Sequence, residues 1–538
     1  MRGTMMDFPL TIQPILERAG KLFPTVEIVS RLPDRSLKRT KYGEVYRRAR
    51  RLARGLELAG MAAGDRVATL MWNHSTHLEA YLGVPVAGGV LHTLNLRLHP
   101  DELVYIVNHA RDRYLIIDDI LLPVYESIRA KAHFERVFVV PFSGEKIARS
   151  HESYEDFLSA ADDDFVYPTL EENDAAIMSF TSGTTGKPKG VVYSHRALVL
   201  HSLAQGLTDS FNVGHHDVLL PASSMFHANG WGVPFTATLV GAKLVLPGPC
   251  VDAASLLDLI ETEKVTLAFA VPTVWLGVLG ALEKEPGRWK ISKPVRIICG
   301  GAAVPESLLR GLDRFNFHIT HLWGMTETAP MGTTAPIKSS LMNRSDDEKY
   351  RIRAKQGIPA PFVELRVMGA LGEAPWDGVT PGELEVRGPW IAASYFESPE
   401  TADRWTRDGW FRTGDVATMD EEGYVQILDR SKDLVKSGGE WISSVDLENA
   451  LMGHPSVREA AVIGVPHPKW QERPLAVVVL KEGVSAEPEE LREFLAQKFA
   501  KWQLPDAFVF ATEIPRTSVG KFLKTKLREQ YANWNWGS

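Results

Sequence analysis

Between residues 67 and 322, short runs rich in Val, Ile and Leu alternate with stretches whose apolar residues recur at helical spacing. The runs at 67–71, 114–117, 137–140, 175–180, 218–220, 266–271 and 295–299 carry almost no charge, as strands buried on both faces require. Such strands, separated by amphipathic helices, predict parallel sheets with helices on either side. Past residue 357 the texture changes to closely spaced strands and turns at 363–368, 382–387 and 424–428, a small β-rich subdomain. A further small α+β unit follows, with strands at 460–465 and 476–480 around a helix over 488–498. The join is Asp429-Arg430-Ser431-Lys432-Asp433, followed by Ser437-Gly438-Gly439, whose glycines permit unusual backbone angles. A boundary falls here, dividing 1–431 from 432–538.

Composition narrows the class. The chain has 538 residues, 44% hydrophobic and 24% charged, enough for about three or four ordinary units with sizeable cores. A net charge of −7 gives no footprint for nucleic acid. The densest basic run, Arg47 to Arg54, has Val45, Ala49, Leu52, Ala53 and Leu56 at helical spacing and reads as a solvated helix face. Cys250 and Cys299 lack a close partner, which fits a reducing compartment and excludes a Cys-rich metal site. Asp7 and Pro9 interrupt the N-terminus before any apolar core of a signal peptide, and the stretch 80–91 is too short to span a bilayer. The expectation is a cytoplasmic protein without integral membrane contact.

Candidate chemistry lies in five loops. Residues 181–190, Thr-Ser-Gly-Thr-Thr-Gly-Lys-Pro-Lys-Gly, follow the apolar run 175–180 and offer backbone N–H groups, hydroxyls and two lysines to a polyphosphate. They do not form a P-loop: Gly183 and Gly186 are too close, and Pro188 stands where a Mg²⁺-binding hydroxyl belongs. Gly300-Gly301-Ala302-Ala303 follows a strand and lets a flat ligand approach, as many strand–helix turns would. Trp323-Gly324-Met325-Thr326-Glu327-Thr328 sets an aromatic plate beside hydroxyls and a carboxylate; it reads as a purine and Mg²⁺ site or as a polar turn with a packed tryptophan. Asp415, after Gly414, suits paired ribose hydroxyls. Lys521 ends 515–521, a flexible loop where a lone lysine is ordinarily just solvated. The pair His215-His216 lacks a third ligand and reads as a solvated turn.

Taken together and in this order, the five loops resemble the AMP-forming adenylating enzymes, a family of acyl-CoA synthetases, luciferases and peptide-synthetase adenylation domains. Segment 437–448 is similar to fatty acyl-CoA synthetases. Trp323 to Thr328 is similar to the medium-chain branch and to bacterial 3-methylmercaptopropionate–CoA ligases of dimethylsulfoniopropionate breakdown; long-chain relatives more often carry tyrosine at position 323. The resemblance implies an α/β protein: a large N-terminal domain of two α/β sheets plus a β-barrel, and a small mobile α+β C-terminal domain. It implies ATP, Mg²⁺, coenzyme A and a small carboxylic acid as ligands, and a homodimer. Thr181, Ser182, Gly183, Thr184, Thr185, Gly186 and Lys187 would cradle the β/γ-phosphates. Thr184 and Glu327 would flank Mg²⁺, and Thr326 would contact the α-phosphate. Gly301, Ala302 and Trp323 would frame adenine, while Asp415 and Arg430 would hold ribose. Lys521 would bridge the acid and the α-phosphate, and Lys432 would be the hinge that exchanges Lys521 for Lys436, Gly439 and Glu440 at the CoA thiol.

The acid pocket would involve Gly300, His227, Trp231 and Trp323, the two tryptophans shortening it toward short- or medium-chain acids. His227 has two open readings, orienting the acid carboxylate or packing as a hydrogen-bonded core histidine. The expected reaction is acyl-AMP formation followed by thioester formation. Alternatives are a long-chain fatty acyl-CoA synthetase, acyl transfer to a carrier protein or oxidation of the adenylate, and a non-catalytic nucleotide sensor.

Overall fold

Apolar residues at three- and four-residue spacing turn one face of the helix Tyr42–Leu58 inward, burying Val45, Ala49, Leu52, Ala53 and Leu56. Its arginines do not simply face water. Arg48 meets Glu79 at 2.7 Å and Glu155 at 2.8 Å, and Arg51 meets Asp163 at 2.6 Å. The basic run is thus an ion-paired seam between helices and is satisfied without a polyanion. The computed structural model describes residues 1, 3–181, 187–437, 440–517 and 520–536.

Among the described residues four sheets form. In one, Arg136–Val140, Asp112–Asp118, Arg66–Leu70, Val90–Thr93 and Ala175–Phe180 lie side by side in parallel, with Gly190–Ser194 antiparallel at the edge. In the second, Phe317–Trp323, Val295–Gly300, Leu267–Ala270, Val218–Pro221, Lys243–Leu246 and Glu27–Arg31 run parallel, with antiparallel strands at both edges. Their interior positions are buried, as both-face coverage by helices demands.

The expected barrel takes the form of a five-stranded antiparallel sheet. It pairs Glu364–Gly369 with Gly382–Arg387, then Phe411–Met419, then Val425–Arg430. The chain leaves it at Arg430 and enters the last sheet at Val435, where Gln471–Leu480 pairs with Val457–His467 and Ala507–Phe510. That sheet has its own core around Leu447, Leu451, Val462, Val478 and Leu491. No helix among the described residues is long and apolar enough to cross a membrane.

Candidate functional site

Open parallel sheets leave a crevice at the carboxyl ends of their strands, because each chain segment turns there into a loop. In the second sheet, Gly324, Gly301 and Val271 follow three neighbouring strands, and His227 follows a fourth. All four line one cavity of about 280 Å³, together with Thr181 from the other sheet. Gly324 permits this crowding: a Cβ there would fall 1.4 Å from the Pro330 carbonyl oxygen.

The loop at 181–190 is closed at its base. The Thr181 N–H donates to the Lys189 carbonyl at 2.9 Å, and the Lys189 N–H returns to Thr181 Oγ1 at 3.1 Å. A strand rather than a helix follows, which separates this loop from P-loop architecture. Lys187 and Lys189 both line the cavity, held 5.3 Å and 5.2 Å over the rings of Tyr105 and Tyr395. Ser182, Gly183, Thr184, Thr185, Gly186 and Gly439 lie outside the described residues.

Across the cavity, Glu327 sits in the one-turn helix Thr326–Thr328 and is 5% exposed. Tyr395 donates its hydroxyl to Glu327 Oε1, and burial beside that carboxylate pushes the phenol pKa up. Tyr193 donates to the Thr326 carbonyl at 2.6 Å. No cluster of three metal-binding side chains occurs among the described residues. A lone carboxylate suits Mg²⁺, which takes one or two carboxylates and completes its shell with phosphates and water.

A second cavity of about 290 Å³ is lined by Gly301, Ala302, Trp323, Asp415 and Arg430. Asp415 and Arg430 are directly opposed across the antiparallel pair, and Arg430 Nε meets Asp415 Oδ1 at 2.7 Å. The neighbouring carboxylate raises the Arg430 pKa. The two cavities share Gly301, Leu322, Gly324, Arg430, Lys432 and Lys521.

Among the described residues, Lys521 is the one shared wall residue from the last hundred positions. Its backbone N–H donates to Thr517 Oγ1 at 3.2 Å, and its Cε lies 3.4 Å from where a Cβ of Gly301 would stand. Gly301 has φ +89, so glycine meets both demands there. Burial, and then the Arg430 charge, depress the Lys521 pKa to about 8 against the pull of Asp415 and Glu327. Lys432 is lowered likewise, by burial first and then by Arg430 and Arg528 against the pull of Asp433.

The wall of the first cavity around His227 rests on an unusual backbone. Ala228, Asn229, Gly230, Trp231 and Gly232 all have positive φ, from 35 to 74, forming one left-handed turn. Gln205 Nε2 donates to the Trp231 carbonyl at 2.7 Å, and Asn229 Nδ2 donates to Thr93 Oγ1 at 3.1 Å. Trp231 is 6% exposed and lines the first cavity beside His227. The His227 imidazole has no hydrogen-bond partner among the described residues, and burial, then the Lys521 charge, lower its pKa to about 3. Of the two readings of His227, the hydrogen-bonded core histidine does not fit; a neutral imidazole faces the cavity.

The structure corrects two of these expectations on position, those for Trp323 and Gly300. Trp323 lines the second cavity and not the first, because its indole turns toward Asp415. Gly300 lines neither; a Cβ there would fall 2.6 Å from the Leu322 carbonyl oxygen of the neighbouring strand. Lys436 and Glu440 line neither cavity while Lys521 lines both, and the Lys436 ammonium lies 5.1 Å over the ring of Trp441. Sequence reading counted Lys189 only as the second lysine of its loop and missed Tyr395 and Arg404, which left no local signal; all three line the first cavity.

Comparisons with known proteins bear on this geometry. The profile of a family described as AMP-binding enzyme matches residues 16–396, and that of the AMP-binding enzyme C-terminal domain matches 446–521. The chain is 53% identical to a long-chain-fatty-acid–CoA ligase of Thermus thermophilus, over 100% of this chain and 98% of the relative. It is 43% identical to a 3-methylmercaptopropionyl-CoA ligase of Ruegeria lacuscaerulensis, over 99% of each. Among solved structures, an anthranilate CoA ligase in complex with anthranoyl-AMP superposes with a TM-score of 0.87 at 25% identity, covering 98% of this chain and 99% of that one.

Proposed function

The chain belongs to the AMP-binding enzyme family, and we propose that it is an AMP-forming carboxylate–CoA ligase for short- and medium-chain acids, 3-methylmercaptopropionate among them. One observation carries the proposal. A depressed-pKa lysine from the C-terminal unit stands in the wall common to two cavities, one with Glu327, Lys187 and His227, the other with Asp415 and Arg430.

ATP and CoA are the co-substrates. In the first half-reaction the acid's oxygen attacks the α-phosphorus; an O–P bond forms, the Pα–O–Pβ bond breaks and pyrophosphate leaves. Two anions must meet, so the protein supplies positive charge where negative charge grows. Lys187 and Lys189, with the donors of the 181–190 loop, hold the β/γ-phosphates; Lys521 lies between the acid carboxylate and the α-phosphate. Gly301, Ala302 and Trp323 frame the adenine, Asp415 and Arg430 hold the ribose, and Thr326 contacts the α-phosphate. Glu327 and Thr184 would hold Mg²⁺, which neutralises phosphate charge when bound. The His227 imidazole, neutral and without a hydrogen-bond partner among the described residues, accepts or donates one hydrogen bond at the acid.

In the second half-reaction the CoA thiolate attacks the acyl carbon and AMP leaves. Lys432 is the hinge between 1–431 and 432–538; rotation there withdraws Lys521 and brings Lys436, Gly439 and Glu440 to the thiol. A homodimer and a cytoplasmic location belong to the same proposal, the latter in keeping with two unpaired cysteines. The acid class is supported by Trp231, whose bulky, buried side chain lines the first cavity beside His227. The Thermus relative's name favours a second reading, a long-chain acid, for which Trp231 must move.

CoA-dependent AMP release tests this, with ATP and propionate, 3-methylmercaptopropionate, butyrate, octanoate and palmitate. Highest kcat/KM between propionate and octanoate is expected. Palmitate as the best substrate would overturn the acid class. Pyrophosphate exchange without CoA turnover would overturn the ligase assignment in favour of another acyl acceptor, and ATP binding without either would leave a sensor.

A further inference from the structure

Trp323 ends the strand Phe317–Trp323 with its indole N–H aimed at a carboxylate. Nε1 donates to Asp415 Oδ2 at 2.9 Å, inside the protein. Arg430 Nε meets the other oxygen, Oδ1, at 2.7 Å. Trp323 is 8% and Asp415 3% exposed, so water does not compete freely for either group. The far edge of the indole is also fixed: a Cβ at Gly332 would lie 2.5 Å from Cζ3. The ring therefore cannot turn without a collision on one side or a lost hydrogen bond on the other.

A carboxylate has about four lone-pair directions, two on each oxygen. Here one direction on each oxygen is taken by a donor from the protein. One on each remains, and a pair of adjacent hydroxyls can satisfy the two together. We propose that Trp323 is a positioning residue for ribose recognition: its indole N–H holds Asp415 so that both carboxylate oxygens face the 2′- and 3′-hydroxyls of ATP. This rests on the reading of Asp415 as the ribose acceptor. Its ring still bounds the adenine side of the cavity, so base and sugar recognition share one side chain. Phenylalanine keeps a ring without a donor, and tyrosine lacks one at the indole N–H position.

The test measures adenylation by pyrophosphate exchange, with ATP, 2′-deoxy-ATP, 3′-deoxy-ATP and GTP, for the wild type and for Trp323→Phe, Trp323→Tyr and Asp415→Ala. The wild type is expected to prefer ATP over either deoxy analogue by at least about tenfold, the size of a hydrogen bond to a charged group. Trp323→Phe and Trp323→Tyr are expected to shrink that preference to within about threefold and to raise KM for ATP about tenfold. The loss should fall on the ribose preference and on KM for ATP more than on kcat, a split that general loosening of the fold would not give. Retained ribose preference in both Trp323 variants, alongside its loss in Asp415→Ala, overturns the positioning role alone. Retained preference in Asp415→Ala overturns the ribose reading of Asp415, and the positioning role with it.

Discussion

At the scale of single residues, the depressed pKa of Lys521 sets a pH dependence. In the proposed mechanism the ammonium form is the one that spreads charge on the α-phosphate, and it is lost as pH rises through about 8. The pH profile of kcat/KM for adenylation should therefore be level through neutrality and fall on the alkaline side with an apparent pKa of about 8. His227, held neutral with a pKa of about 3, adds no limb between pH 5 and 8. A limb at about 6.5, the ordinary histidine value, would contradict this electrostatic picture. Lys521, Glu327 and Asp415 were legible because each lies in a short loop whose neighbours share its chemistry. Tyr395 was not: it reaches Glu327 across 68 positions of sequence, and nothing local to a tyrosine states which distant carboxylate it will hold.

At the scale of elements, the apolar runs were legible as strands because burial on both faces leaves a continuous apolar signature. Their order in the sheets was not, since parallel neighbours are joined by long crossovers. The left-handed turn at 228–232 was hidden too. Alanine and tryptophan avoid positive φ, and only distant partners such as Gln205 and Thr93 hold the turn in place. Another such tertiary assembly joins the boundary strand Val425–Arg430 to the C-terminal unit. Lys524 meets Glu448 at 2.7 Å and Ser444 Oγ at 2.5 Å, and Ser444 in turn holds Asp429. Burial raises the Glu448 pKa to about 7 against the pull of Lys524.

Lys524→Met leaves two buried carboxylates without their cation and should cost about 3–5 kcal/mol at neutral pH, read by denaturant unfolding. A carboxylate whose folded pKa is raised is tolerated while protonated and loses stability as pH climbs through that folded value. The deficit should therefore be larger at pH 8 than at pH 5. Equal deficits at the two pH values would show that the cluster does not carry the predicted charge.

At the scale of the whole molecule, two units with separate cores meet over one crevice. The larger supplies strand-end loops and the Asp415–Arg430 pair, and the smaller reaches in with Lys521. In the proposed mechanism this is the arrangement for adenylation. The charged join at 429–433, with Lys432 in both cavity walls, is where the smaller unit would turn for thioester formation. Lys521→Ala tests this division of labour most directly, with acyl-AMP formation and thioester formation from synthetic acyl-AMP measured separately. The first should lose ~3 kcal/mol of transition-state stabilisation, about a hundredfold in rate, while the second stays near wild type. Equal loss in both half-reactions would contradict the assignment of Lys521 to adenylation alone.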